Sequence, residues 1–269
     1  MTEIAQINHA RALLEQADKL LIVAGAGMSV DSGLPDFRGN EGLWKQYPAL
    51  GRGHIAFSTI ASPLAFREHP HLAWGFYEHR RHLYAQTEPH AGYAALREYA
   101  SALPGEAFVF TSNVDGHFLK SGFRDDEVLE VHGSINHWQC LDDCNGDLWA
   151  APEELMHVDA ERCQLLSELP RCRHCNQIAR PNILMFGDND WQERRSRHQE
   201  RAYEAWLDLP GQMVILEIGA GLAIPTCRYE SERHGAPLIR VNVQDAACTR
   251  RDDVSLNMTG LDAISRLTL

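Results

Sequence analysis

The chain has 269 residues, with 25 Lys and Arg against 37 Asp and Glu, for a formal net charge of −12. That length suits one large domain or a domain with inserts, and 44% hydrophobic residues are enough for a sizeable core. The acidic balance, without a dense basic block, argues against affinity driven by phosphate neutralisation, so no nucleic-acid partner is expected and a basic peptide suits it better.

The opening stretch MTEIAQINHARALLEQADKL has no basic segment followed by an apolar one, and no secretory signal is expected from it. No apolar run approaches the roughly 20 residues of a membrane span, so no membrane partner is expected either. Seven cysteines, four of them in two short-spaced pairs, suit a reducing compartment and a metal better than disulfides. The cytoplasm is the expected location.

In chain order, Ile4, Ile7, Ala10, Leu13 and Leu14 recur at helical spacing and predict a helix over 3–17. Leu20 to Ala24 is a short apolar run ending in glycine, the pattern of a buried parallel strand. The segment GAGMSVDSGLPDFRG then fills 25–39. Gly25 and Gly27 would let backbone N–H groups approach a pyrophosphate, and they would equally serve a plain tight turn. The spacing fits neither G-x-G-x-x-G, since position 30 is Val, nor a P-loop, since no Gly-Lys-Ser/Thr follows.

Residues 40–88, rich in His, aromatics and Arg, read as a mostly helical insert. Within it FYEHRR at 76–81 sets Tyr77 and Arg80 three residues apart, on one helix face. A helix is predicted over 90–102 and strands over Phe108–Thr111 and Val128–Val131. His132 ends the second of these and precedes Gly133, where open α/β sheets place their chemistry; an ordinary imidazole, with a pKa of about 6.5, is a suitable base there. Residues 137–180 show little strand signal but hold Cys140-x3-Cys144 and Cys172-x2-Cys175, 27 residues apart. Two such pairs can close a tetrahedral four-thiolate zinc site with no open position, hence a structural one. Cys163, between the pairs, could replace one ligand. Strands at Ile183–Phe186, Met213–Ile218 and Leu238–Val243 and a helix at 192–208 complete the pattern.

Strands alternating with helices imply an α/β fold with a doubly wound, Rossmann-like parallel sheet. We read a single catalytic domain over 1–269. Its Rossmann-like lobe comprises 1–45, 89–136 and 181–269, and its smaller lobe a helical insert (46–88) and a zinc-binding module (137–180).

Taken in full, GAGMSVDSGLPDFRGNEGLW resembles the cofactor loop of the sirtuins, the NAD-dependent protein deacylases. TSNVDGH at 111–117, EVHGS at 130–134, RPNILMFGD at 180–188, IGAGLAIPT at 218–226 and VNV at 241–243 extend the resemblance over nearly the whole chain. It implies that Gly25, Ala26 and Gly27 cradle the pyrophosphate of NAD while Asp36, Phe37 and Arg38 close over the nicotinamide ribose. Ser112, Asn113 and Asp115 would position the ribose and the nicotinamide amide. Gly219, Ala220 and Gly221 would form a second phosphate loop, and Asn242 would contact the adenosine ribose. Phe186 and Gly187 would lie along an acylated-lysine peptide or protein substrate.

In the reaction so implied, the acyl-lysine oxygen attacks C1′ of the nicotinamide ribose and nicotinamide departs. His132 then removes a proton from a ribose hydroxyl, and the products are free lysine and O-acyl-ADP-ribose. Tyr77 and Arg80 match the Tyr-x-x-Arg that binds the distal carboxylate of acidic acyl groups in some sirtuins, or else they are an ordinary helix face. Departures from the pattern are Ser112 for the usual Gln, Ala220-Gly221 for Thr-Ser, and Pro89-His90-Ala91 for the Pro-Asn-x-x-His order. An ADP-ribosyltransferase or NAD glycohydrolase would need the same cofactor pocket but no histidine base. An NAD-sensing module would need neither the base nor catalysis.

Overall fold

The computed structural model describes residues 2–35 and 39–267, so the expectations for Asp36, Phe37 and Arg38 lie outside the described residues. In chain order the strands are β1 (Lys19–Ala24), β2 (Ala107–Thr111), β3 (Val128–Glu130), β4 (Gly133–Cys140) and β5 (Leu148–Ala150). They continue with β6 (Val158–Asp159), β7 (Gln164–Leu165), β8 (Ala179–Ile183), β9 (Met213–Ile218), β10 (Leu238–Val241) and β11 (Val254–Leu256). Six of them form one sheet in the order β11-β10-β9-β1-β2-β3, and every pairing in it is parallel.

The apolar run of β1 is buried throughout because the strand sits inside the sheet with helices on both faces. On one face the helices Glu3–Glu15, Ala91–Ala102 and Gly260–Leu267 deliver Leu14, Tyr93, Leu96 and Ile264 to a core shared with Ile22 and Leu216. On the other, the helices Arg194–Leu207 and Thr226–Arg233 pack Tyr203, Trp206 and Cys227 against Leu21, Phe110 and Ile215. Fully burying each large apolar side chain contributes about 1.5–3 kcal/mol.

Register sets where the site falls. Ala24 lies beside Thr111 on one side and Ile218 on the other, and Thr111 lies beside Glu130. The loops starting at residues 25, 112, 131 and 219 therefore leave the sheet side by side, at the carboxyl ends where such sheets bind ligands.

The smaller lobe is built around the antiparallel sheet β5-β4-β8. The insert contributes the helices Pro48–Arg52, Phe57–Ile60, Pro63–Glu68 and Pro70–Gln86, which pack on that sheet. Trp74 meets Trp138 with ring centroids 5.0 Å apart, and its indole N–H donates to the Ala179 carbonyl at 2.9 Å.

Two expectations change. The run at Ile183–Phe186 is not a strand of the parallel sheet. The strand is β8, which ends at Ile183 and pairs with β4, and 184–186 continue as loop. A short apolar run looks the same whether its neighbours are parallel or antiparallel. The stretch 137–180, read as nearly strandless, holds the second half of β4, the start of β8 and all of β5, β6 and β7. β4 begins at Gly133 and β8 ends at Ile183, a few residues beyond the bounds read for the zinc module. The last strand of the parallel sheet, β11, has only three residues, too short a run to announce itself.

Candidate functional site

The loop after β1 and the loop after β9 touch backbone to backbone. A Cβ on Gly25 would lie 2.7 Å from the Gly219 carbonyl oxygen, and one on Gly27 would lie 2.6 Å from the Gly219 Cα. Gly219 itself has φ +64°, a left-handed conformation that glycine adopts without penalty. The Gly25 N–H donates to the Ile218 carbonyl at 3.0 Å and the Gly27 N–H to the Gly219 carbonyl at 3.1 Å. These glycines thus serve the close crossing of two loops first. A Cβ on Gly221, by contrast, would meet nothing within 4 Å.

Ala220 and Asn242 stand behind this crossing and off the cavity wall. Ala220 is buried, and its carbonyl accepts from Asn242 Nδ2 at 2.9 Å and Arg228 Nε at 3.2 Å. Asn242 Oδ1 accepts the N–H groups of Gln244 and Asp245, both at 3.1 Å. The side chain expected to meet a ribose is therefore used within the protein, where it holds the Ala220 loop.

After β2 the chain presents Ser112, Asn113 and Asp115 to the same cavity. Asn113 is buried, and its Nδ2 donates to the Gly25 carbonyl at 3.0 Å and to Ser29 Oγ at 3.2 Å. Asp115 accepts the Ser29 hydroxyl at 2.6 Å on one oxygen and the His117 N–H at 2.9 Å on the other. Ser112 Oγ accepts the buried thiol of Cys227 at 3.3 Å.

His132 follows β3, whose Glu130 is pinned by Arg195 at 2.5 Å and whose backbone accepts from Ser196. Its Nε2 lies 3.4 Å from Thr226 Oγ1, and it lines the cavity. Burial lowers its pKa below the ordinary value, opposed in part by a hydrogen bond with the Ser112 backbone. At neutral pH the ring is accordingly neutral and able to take a proton.

The opposite wall comes from the insert and the segment after β8. Tyr77, Arg80 and Tyr84 share one face of the helix Pro70–Gln86 and line the cavity. Arg80 donates from Nε and a terminal nitrogen to the Tyr84 hydroxyl at 2.9 and 2.7 Å, with its guanidinium over the rings of Phe76, Tyr77 and Tyr84. Burial pushes the Tyr77 phenol up to about 12, so it stays protonated. Phe186 is 41% exposed on the rim and meets Phe57 edge to face, while Gly187, with φ +65°, turns the chain just beyond the wall. Together these walls enclose about 400 Å³.

Cys140, Cys144, Cys172 and Cys175 converge away from this cavity, with their sulfurs all within 4.8 Å of one another. The pairs Cys140–Cys175 and Cys144–Cys172 are each separated by 3.6 Å. Zinc bonds of about 2.3 Å to four tetrahedral thiolates set sulfurs roughly 3.8 Å apart, so the cluster fits one structural zinc. Cys163 is buried with its sulfur 4.0 Å from the Leu72 carbonyl, outside the cluster, so it replaces none of the four.

Ser29, Tyr84 and Cys227 also face the cavity and were not singled out from the sequence. Ser29 sits inside the glycine-rich segment, which was the available signal. Tyr84 is four residues past Arg80 on the same helix face, and that spacing could have found it.

A doubly wound parallel sheet, with a ligand-sized cavity at its strand ends and a four-cysteine lobe beside it, defines the class of protein. The model of the Sir2 family matches residues 25–219, and the chain belongs to that family. It is 31% identical over 251 residues to an NAD-dependent protein deacylase of Thermococcus kodakarensis, covering 92% of this chain and 89% of the relative. It is 32% identical over 249 residues to an NAD-dependent protein deacylase of Leptospira interrogans, covering 90% and 88%. Among solved structures, a Sir2 homologue in complex with NAD superimposes with a TM-score of 0.70 at 23% identity, covering all of this chain and 93% of the other, a likeness of fold.

Proposed function

We propose that this chain is an NAD-dependent protein lysine deacylase that releases nicotinamide and O-acyl-ADP-ribose. One observation carries the reading: His132, neutral at physiological pH, lines the same cavity as the crossing of the 25–27 and 219–221 loops. The cavity also fits the cofactor chemically. Gly221 leaves backbone open to it, and Asn113 and Asp115 bring polar groups to its inner wall. When bound, NAD supplies an electrophilic ribose carbon with nicotinamide as its leaving group.

This chain's residues do the rest. Asn113, its amide protons directed at Gly25 and Ser29, would have its carbonyl oxygen left to accept from the ligand. His132 accepts a ribose hydroxyl proton, and Thr226 beside it limits the ring's rotation. Tyr77, Arg80 and Tyr84 keep water from the acyl end of the cavity. An acylated-lysine peptide would lie along 184–187, where Phe186 presents an exposed ring. Asp36, Phe37 and Arg38 are the proposed cover of the nicotinamide ribose. The cytoplasm, a reducing compartment, would keep the four ligating thiols from oxidising.

The finer proposal concerns the acyl group. A buried guanidinium held by a tyrosine hydroxyl suits the distal carboxylate of a succinyl or malonyl group, and an acetyl methyl offers it nothing. The test is mass spectrometry of products from NAD and a panel of acyl-lysine peptides. Deacylated peptide and O-acyl-ADP-ribose are expected, with acidic acyl groups turned over about ten- to a hundredfold faster than acetyl and Arg80→Met abolishing only that preference. ADP-ribosylated protein, or hydrolysed NAD with no deacylated peptide, would refute the deacylase reading.

A further inference from the structure

The proton inventory around Ser29 has one solution. A serine hydroxyl offers one proton and two lone pairs. Ser29 Oγ has three partners: Asp115 Oδ2 at 2.6 Å, the Tyr93 hydroxyl at 3.0 Å and Asn113 Nδ2 at 3.2 Å. The serine proton goes to the Asp115 carboxylate, so the other two partners must both donate. Asn113 Nδ2 does so, and its assignment is secure because its second proton meets the Gly25 carbonyl, which can only accept. The Tyr93 O–H is therefore the third donor, and it fills the last lone pair.

Tyr93 is fully buried and does not line the cavity. Its ring packs against His90 and Phe118, with centroids 4.9 Å away in each case, and against His117 at 5.8 Å. It reaches the site through one atom. Remove that donor and one lone pair of Ser29 is left unpartnered in a buried site, so the hydroxyl that ties Asp115 to Asn113 loses one of its three anchors and holds the two side chains less firmly.

Resting on the deacylase reading, we propose that Tyr93 is a positioning residue: by donating to Ser29 it fixes the direction of the serine's hydrogen bonds, so that Asn113 and Asp115, which Ser29 links, meet the ligand in one arrangement. Burial holds the Tyr93 phenol well above its ordinary pKa, so the donor persists across the working pH range. The consequence is that this position adds no limb to the pH profile of turnover.

The experiment compares Tyr93→Phe, Ser29→Ala and the double variant, following nicotinamide release from NAD with an acyl-lysine peptide. Tyr93→Phe keeps the ring contacts, so its Tm should stay within about 2–4 °C of the parent. Its kcat should fall about threefold to tenfold, the weight of one neutral hydrogen bond, with KM for the peptide unchanged. In the Ser29→Ala background the same change should have no further effect. Unaltered kcat in Tyr93→Phe overturns the proposal, as do losses that multiply in the double variant. If the parent releases no nicotinamide with any peptide, it is the deacylase reading that fails. The cycle is then read from NAD dissociation constants by calorimetry, where an effect of Tyr93→Phe that survives in Ser29→Ala overturns the proposal.

Discussion

On the sheet side of the cavity, Glu217 is fully buried yet fully answered: Arg240 reaches it at 2.7 and 2.9 Å, Ser231 donates to it, and Arg228 approaches at 3.6 Å while also holding the Ala220 carbonyl. On the opposite side, β4 ends at Cys140, the other three converging thiols lie in the loops between β4 and β8, and the sheet leans on rings that meet edge to face, such as Trp74 and Trp138. The first wall is completed by the chain's own charges, each satisfied within a few residues of the site. The second is completed by an ion. Breaking a buried ion pair costs roughly 3–5 kcal/mol, but a structural zinc contributes about 10–16 kcal/mol on binding in small domains, so the two walls should fail very differently.

The largest effect should therefore come from the metal. Cys172→Ser, or removal of zinc by a chelator, is expected to unfold the smaller lobe and abolish peptide turnover while the parallel sheet keeps its protection in hydrogen exchange. Metal analysis should give one zinc per parent chain and none in the variant. Uniform loss of protection across both lobes would show that the walls are not independent.

His132 stands where the walls meet, and its replacement tests chemistry without disturbing either. His132→Ala should lower deacylation by roughly 10²–10⁴-fold, the usual share of a general base, with NAD binding retained in calorimetry. Because burial lowers the folded pKa of His132, turnover should persist through neutral pH and decline only as pH falls below the ordinary imidazole value. Stability has the same sign. Burial lowers His90, His117 and His132, and takes His137 to about 4. The unfolded chain binds these protons more readily, so stability is full above about pH 6.5 and drains away as pH falls toward 4. A thermal melt at pH 5 should lie below that at pH 7; an equal or higher Tm would contradict the direction.

The two walls also differed in how far the sequence disclosed them. Gly25, Gly27 and the paired cysteines were legible because each obeys a rule of spacing: a glycine where two backbones meet, a thiol where a tetrahedron closes. His132 was legible from its place at a strand end. The exchange of partners by β8 was not, since RPNILMFGD has the same apolar run whichever sheet it joins. Nor was β4, which is buried at six of its eight positions and lacks the alternation that marks a half-exposed strand. Ser29 and Tyr93 were opaque for another reason. A single hydroxyl carries no periodicity, and its partners lie 64 and 86 residues away from Ser29 in the chain.

Asn242 offers the smallest effect and the sharpest test of the sheet wall. The family resemblance implies that it meets the adenosine ribose, but its Nδ2 donates to Ala220 and its Oδ1 accepts from Gln244 and Asp245. If its work is to hold the loop, Asn242→Ala removes the donor to the buried Ala220 carbonyl and the acceptor for the Gln244 and Asp245 N–H groups, each worth about 1 kcal/mol. NAD affinity should weaken only severalfold, because Arg228 still holds the Ala220 carbonyl. Asn242→Asp separates the two roles. It keeps the acceptor for Gln244 and Asp245 but turns an oxygen toward the Ala220 carbonyl, so it should weaken NAD more than alanine does. A residue whose task was to accept a ribose hydroxyl would show the reverse order, since a carboxylate accepts at least as well as an amide oxygen. Affinities of the parent and the two variants, measured by calorimetry at one salt concentration, decide between a loop support and a ligand contact.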